Sequence, residues 1–365
     1  MVLALYFTSP WQYYEPPPPE PVLVIVEPTP TPMPTPTPEP TPTPEPEPTP
    51  EPTPEPAAGP DNPLTGIPMR EDLTRNRPVA IMLGNTPDAI PMNGVSRAEI
   101  VYEALVEGGM TRMMGLFLDY ADVGTIGSVR SARHYYAEIV ESYDAIYLSA
   151  GGSPLGLNEI RARGITHLSE GSPVFRRNNN RVGGRSFPSP HNLVTSGALL
   201  TQHLPSNNRR MTLEDDHEHA FTFTDDATPV DGSDALDVEV RFSGGKSSSF
   251  KYDAGKNVYS MRQYSRDFVD ANNSAHVSFT NIIVIETRVS ALGGAHGGAG
   301  RRDMSLVGSG AGYFIHGGKY VEINWSRADK SSQFVYTLED GTELELGRGK
   351  TYIGIIPTGM SVNFS

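Results

Sequence analysis

Three residues able to carry positive charge fall within five positions in Arg130-Ser131-Ala132-Arg133-His134. If a helix starts here, 130, 133 and 134 share one face at i, i+3 and i+4. Cations have the wrong sign for a helix N-terminus, where the dipole favours anions. Arginines at such a place make sense when an anion sits between them and the free backbone N–H groups. The guanidinium fork matches phosphate or carboxylate. Arg112 and the pair Arg176-Arg177 are candidates to join this patch. The competing reading pairs the arginines with Glu103, Glu107 or Asp119, so that they only hold the fold.

Further groups stand within reach of the same chemistry. Gly151-Gly152-Ser153 lies between an expected strand and a helix start, the edge at which α/β folds bind ligands. Its glycines admit a close approach to backbone, and the competing reading is a tight turn. His191, with Asn192 beside it, is able to titrate near neutral pH and to act as a base or orient a phosphate; the alternative is a local cap. Asp119 ends an expected strand and is expected on the same edge, as an acid/base or metal candidate or as a satisfied structural aspartate. The run from Glu214 to His219 aligns 215, 217 and 219 on one face if extended, which would suit zinc or nickel. It lies in a polar connection where solvated charge is the norm, so no metal or cofactor is assigned. Gly245-Lys246-Ser247 lacks the earlier glycine of a phosphate-binding loop and reads as a turn. Gly151 to Leu155 lacks the last glycine of a nucleophile elbow. Gly293 to Gly300 matches no dinucleotide spacing and reads as a loop.

The elements that must position these residues fall into two sets. Pro78–Gly84 reads as a buried strand, Ala98–Glu107 as a helix and Met113–Tyr120 as a strand. Ala132–Tyr143 then reads as a helix and Ala145–Ser149 as a strand. A further helix starts at Ser153-Pro154, with serine at the cap and proline in the first turn, and stops near Gly164. That alternation predicts an α/β layered domain over 62–205. After a join at 206–220, residues 221–365 carry short alternating runs with Gly, Asp and Asn turns, among them Val238–Phe242, Asn281–Glu286, Tyr313–His316 and Tyr320–Trp325. Glu339-Asp340-Gly341-Thr342 is a hairpin turn signal. The class is α+β overall: an N-terminal α/β layered domain, then a mostly antiparallel β domain, a small barrel or sandwich.

The first 60 residues are of another kind. They hold 22 of the 34 prolines and eight glutamates, with no lysine or arginine. From Pro28 to Pro56 every second residue is proline, which fixes φ and removes the donor, so the tract is expected as extended polyproline II. At about 3.1 Å per residue the stretch from Pro28 to Pro56, the bulk of a spacer over 28–61, reaches roughly 90 Å. Residues 1–27 carry two short apolar runs, Met1–Phe7 and Val22–Val26, read as a remnant of an export or anchor segment or, alternatively, as a disordered apolar patch of no consequence. A stiff acidic spacer beside an apolar start suits a domain held away from a membrane, in an extracytoplasmic envelope setting. The other 305 residues carry 35 acidic and 29 basic groups, which argues against a nucleic-acid footprint. With no cysteine, disulfides, thiol catalysis, Fe–S clusters and Cys-based zinc sites are excluded.

Several runs carry a resemblance. These are Glu99–Glu103, Val106–Arg112, Ile126–Arg133, Tyr143–Ile146, Gly151–Pro154 and Pro190–Leu193, followed in the second half by Phe250–Asp253, Leu306–Gly310, Gly318-Lys319 and Asn324-Trp325. Together they resemble the YerB-like bacterial lipoproteins, a family defined as a domain of unknown function, over roughly residues 62 to 360. The resemblance implies an envelope-facing protein with a two-part fold and implies no activity. Two departures stand out: the lipobox cysteine is missing, and Tyr352 stands where a tryptophan is expected. Three readings of function remain open. One is an envelope module holding an anionic cell-wall ligand at Arg130 and Arg133. Another is a scaffold for an envelope protein. The third is an enzyme on a phosphate-linked substrate, using Arg130, Arg133, Asp119 and His191.

Overall fold

The computed structural model describes residues 59–206, 208–229, 231–294 and 298–365. The leader-like 1–27, almost all of the spacer and positions 295–297 of the glycine-rich loop lie outside the described residues. Pro56–Ser365 is a compact unit.

Its centre is an eleven-stranded sheet. The strand β1 (Val79–Asn85) is buried along its whole length, as a continuous apolar run with helices or sheet on both faces must be. It lies antiparallel to β3 (Thr111–Phe117), with Val79 opposite Phe117 and Asn85 opposite Thr111. The outer neighbour of β3 is β2 (Ile100–Leu105), also antiparallel. A small separate sheet joins β4 (Thr125–Gly127) to a later pair. On the other side of β1 run two parallel strands, β5 (Ile146–Ser149) and then β6 (His167–Ser169). The small sheet is completed by β7 (Arg176–Arg177) and β8 (Leu193–Ser196). Three short helices, α1 (His134–Ser142), α2 (Pro154–Ala162) and α3 (Gly197–His203), follow β4, β5 and β8. Ser153 caps α2 by accepting from the Gly156 N–H at 3.1 Å, with Pro154 in the first turn, as its sequence predicts.

The second half divides between two sheets instead of closing a barrel of its own. Strand Thr351–Pro357 lies parallel to β2 on one side and to Asn281–Thr287 on the other, and Gly308–His316 and Lys319–Arg327 continue the central sheet beyond it. Two-stranded sheets pair Val289–Ala291 with Arg302–Met304 and Thr222–Thr224 with Glu345–Gly347, and a six-stranded antiparallel sheet is built on Asp237–Ser243, Lys246–Asp253 and Val258–Gln263. That sheet packs on the central one near β2, where Phe250 and Phe279 meet Tyr352 at ring-centroid distances of 4.7 and 5.5 Å. The fold class is as the sequence predicts, with a mixed sheet carrying helices in the N-terminal part and antiparallel strands in the C-terminal part.

One element differs. The segment expected as the helix Ala98–Glu107 is the strand β2. Ile100, Val101, Ala104 and Leu105 do fall at helical spacing, but all six residues of Ile100–Leu105 are buried, so the run shows no polar face to reveal either period. Length and the β-branched and aromatic residues Ile100, Val101 and Tyr102 decide for a strand. Glu103 then takes a place inside, between the two sheets, where it is fully buried.

Candidate functional site

The arginine segment is extended and stops short of the helix. Arg133 has φ −129° and ψ 153° and forms the N-cap of α1, so the helix begins at His134. Residues 130, 133 and 134 therefore do not share a helical face. The backbone brings them together by another route. The Arg130 N–H donates to the Met82 carbonyl at 2.9 Å, and the Ala150 N–H donates to the Arg130 carbonyl at 3.0 Å. Ala132 bridges Gly152, with its N–H on the Gly151 carbonyl, and its own carbonyl takes the Ser153 N–H. The chain from 130 to 132 thus runs beside 150–153, at the C-terminal ends of β1 and β5. Gly84 passes directly beneath: a Cβ there would meet Ser128 Oγ at 2.9 Å and Arg130 Cγ at 3.2 Å.

Arg133 and His134 have carboxylate partners. Arg133 Nη2 meets Glu107 Oε2 at 2.5 Å, and its other hydrogen bonds go to the carbonyls of Ala132 and Ser131. Burial works to raise the Glu107 carboxyl, but its hydrogen bond and charge contact with Arg133 outweigh that and hold it low. Glu107 also supplies the negative charge that the start of α1 favours. His134 Nε2 lies 2.8 Å from Asp303 Oδ1. These two residues follow the structural reading.

Arg112 and Arg130 do not. Arg112 donates to the Ser131 carbonyl at 2.6 Å and Arg130 to the Pro190 carbonyl at 2.7 Å. Among the described residues neither lies within ion-pair distance of a carboxylate. Burial, then the charges of Arg133 and Arg130, push the Arg112 guanidinium down to about 10. Burial and Arg133 lower Arg130 in the same sense. These three guanidinium groups repel one another here, while Glu107, the close carboxylate, is held by Arg133 with Arg301 3.9 Å away. The Tyr147 hydroxyl, fully buried on β5 in the field of Arg133 and Arg112, makes no hydrogen bond within the protein. Neither does the buried Ser128 Oγ beside the Arg130 stem.

His191 joins this corner, since the Pro190 carbonyl holds Arg130. Burial first, then the charge of Arg130, lowers its imidazole below the ordinary range, and its Nδ1 is buried without a partner. Asn192 does not face the site: its side chain holds Arg177 and Asn179. Ser153 Oγ is engaged as a cap, while Gly151 and Gly152 act through their backbone. Arg177 pairs with Glu170, and Arg176 donates to the carbonyls of Pro173 and Phe175.

Asp119 lies elsewhere. It follows β3, which runs antiparallel to β1, so its end sits beside Val79 while Arg112 sits beside Gly84. The five residue steps between Val79 and Gly84 put roughly 17 Å between those two ends of the sheet. The acid/base expectation depended on a shared edge that an antiparallel neighbour cannot give. Residues 215–216 form a turn, so 215, 217 and 219 do not align; His217 and His219 pack edge to face at 5.2 Å. Among the described residues no three His, Asp or Glu side chains converge on a metal position.

A second polar cluster escaped the sequence reading. Glu103 accepts from Asn85, Thr111, Ser248 and Tyr352 at 2.5–2.8 Å and lies 3.2 Å from Lys246 Nζ. Lys246 also donates to the Ser247 carbonyl, Ser248 Oγ and Gln263 Oε1. Glu103 was available in sequence as an arginine partner; its true partner is a lysine on the other face. A cleft of about 380 Å³ opens above this pair, between the turns Gly108–Met110 and Ser243–Lys246. Another, of about 510 Å³, lies on the six-stranded sheet around Tyr252, Ser260 and Arg262. Neither is lined by Arg112, Arg130 or Arg133.

The fold defines a two-part protein, with a mixed sheet and helices in the N-terminal part and antiparallel strands in the C-terminal part. Two family models match: a DUF3048 N-terminal domain, described as a protein of unknown function, over residues 64–210, and the DUF3048 C-terminal domain over 238–353. The chain belongs to this family. It is 27% identical over 302 residues to YerB of Bacillus subtilis (strain 168), a protein whose name classes it provisionally as a lipoprotein; the match covers 81% of this chain and 86% of that protein. It is similar to the crystal structure of YerB from Bacillus subtilis, with a TM-score of 0.71 and 26% identity, covering 83% of this chain and 99% of that one.

Proposed function

We propose that this protein is an extracytoplasmic, envelope-associated module that holds an anionic ligand, a phosphate- or carboxylate-bearing wall component, between Arg130 and Arg112. The location rests on the lipoprotein name of the relative and on the proline spacer. One observation carries the ligand. Arg112 and Arg130 are partly buried cations held only by carbonyls, in a corner where the near carboxylate is taken by Arg133. A buried charge without a counter-charge is unfavourable, and an anion relieves it with charge-assisted hydrogen bonds. In this reading Arg133 and His134 position the corner, while Arg112, Arg130 and His191 face the ligand.

The test is the thermal midpoint of the full chain with sulfate or citrate, beside the Arg130→Ala variant at equal ionic strength. A ligand that binds only the folded state adds about 2.7 kcal/mol at a hundred times its Kd. Sulfate also stabilises proteins generally, and the variant measures that part. The expected result is a rise in the wild type well beyond that of Arg130→Ala. Equal rises in both would sink the reading.

A further inference from the structure

Residues 214–221 connect the two parts of the fold and contain no helix or strand. Side chains from both parts hold this stretch. From the N-terminal part, Arg75 donates to the carbonyls of Glu214 and His217 at 2.6 and 3.2 Å. Arg210, itself paired with Asp144, lies 3.1 Å from the Glu214 carboxylate, and the Glu214 N–H donates to Asp144 at 3.0 Å. From the C-terminal part, Gln333 donates to the Glu218 carbonyl at 2.5 Å and accepts from the Ala220 N–H at 3.0 Å. His217 and His219 stand where these two sets of contacts meet.

The two rings pack edge to face at 5.2 Å. Nε2 of His217 and both ring nitrogens of His219 are buried and make no hydrogen bond within the protein. A neutral imidazole, with one N–H, is tolerated in such a place far better than an imidazolium, which carries a charge and two N–H groups. The charged neighbours do not cancel that difference. Arg75 faces both rings, Asp144, Asp216 and Arg210 face His217, and the C-terminal contact, Gln333, is uncharged. Burial, then His217 and Arg75, push the His219 imidazole down to about 4. Burial lowers His217 in the same sense, with Asp144 opposing it.

We infer that His217 and His219 form a proton-operated latch: neutral rings keep residues 214–221 docked between the two parts, and protonated rings release them. The direction follows from linkage. A released histidine titrates near 6.5, the docked His219 at about 4. Docking is therefore at full strength above pH 6.5 and weakens as the pH falls through the window towards 4. Between pH 7.5 and pH 5 the open population should grow about tenfold or more. Release is local, because this stretch has no ladder or helix to lose while the sheets on either side keep theirs. The latch lies apart from the arginine corner and does not depend on it.

The test is hydrogen exchange of the full chain, read by mass spectrometry at pH 7.5 and pH 5, with EDTA present and rates corrected for intrinsic exchange. The reporters are the amides of Glu214, His217 and Ala220, each hydrogen-bonded in the docked state. Their opening is expected to rise about tenfold or more at pH 5, while Val79–Asn85 keeps its protection. In His217→Phe/His219→Phe, which keeps two rings and takes up no proton, both pH values should give the same protection. Ring signals in nuclear magnetic resonance supply a measure that needs no variant, with His219 expected to titrate well below 6.5. The inference is overturned if wild-type opening does not depend on pH, if Val79–Asn85 opens together with the join, or if His219 titrates near 6.5. A variant that keeps the acid response overturns it too, since the response would then belong to Asp144 or Glu214. So does a variant open at both pH values, because the imidazole nitrogens would then be holding the join.

Discussion

The two faces of the central sheet treat buried charge in opposite ways. On the face carrying α1, three arginines crowd one corner, and among the described residues only Arg133 of the three has a close carboxylate. On the face covered by the six-stranded sheet, Glu103 and Lys246 meet at 3.2 Å and every other polar atom of the pair is engaged by Asn85, Thr111, Ser248, Gln263 or Tyr352. Both clusters stand at the same end of the sheet, on either side of the turn after β2. The lesson concerns compensation. Burial alone does not separate a compensated charge from an uncompensated one; the count of counter-charges and hydrogen bonds does.

The comparison breaks most readily at Glu103. Glu103→Gln leaves Lys246 buried without its counter-charge and should destabilise by about 3–5 kcal/mol in denaturant unfolding. Glu103→Gln/Lys246→Met, which removes both charges and keeps an acceptor at 103 for its neighbouring donors, should recover part of that loss. A Glu103→Gln protein as stable as wild type would mean the pair is not the compensated unit described.

A smaller effect sharpens the contrast within the arginine corner. Arg133→Ala strips Glu107 of its close partner, leaving Arg301 at 3.9 Å, and should cost about 1–3 kcal/mol. Arg130→Ala loses one hydrogen bond to a carbonyl but also one source of repulsion, so its cost should stay within about 1 kcal/mol. Equal costs in the two variants would place Arg130 with the structural arginines.

How legible this was depended on which signals are local. The cap at Ser153, the strand at Val79 and the turn at Asp340-Gly341 follow from chain-local chemistry, and each appears where the residues place it. The segment Ile100–Leu105 misleads because an element buried on both faces shows no periodicity, and that burial comes from a sheet some 140 residues later in the chain. Asp119 misleads because strand direction is a property of the sheet. Arg130 and Arg112 are readable as cations, but their lack of carboxylates is a fact of three-dimensional neighbours. Lys246 is visible in sequence only as part of a failed phosphate-loop match, since its partner lies 143 positions away.

The finest test concerns protons. In the ligand-free protein, burial and the charge of Arg130 hold the His191 imidazole below its ordinary value near 6.5. An anion beside Arg130 favours the protonated ring and raises that value. Between the two values the bound state carries more protons than the free state, so binding takes up a proton and affinity rises as pH falls through the window. Above the bound-state value both rings are neutral and the dependence ends. Sulfate is the suitable probe because it does not itself titrate between pH 5 and 8. Calorimetry in buffers of different ionisation heat should show fractional proton uptake near pH 6, none near pH 8, and none at either pH in His191→Gln. Uptake that persists in His191→Gln would assign the proton to another group and remove His191 from the ligand-facing set. No uptake in the wild type, with sulfate still bound, would leave Arg112 and Arg130 as the whole of the anion site.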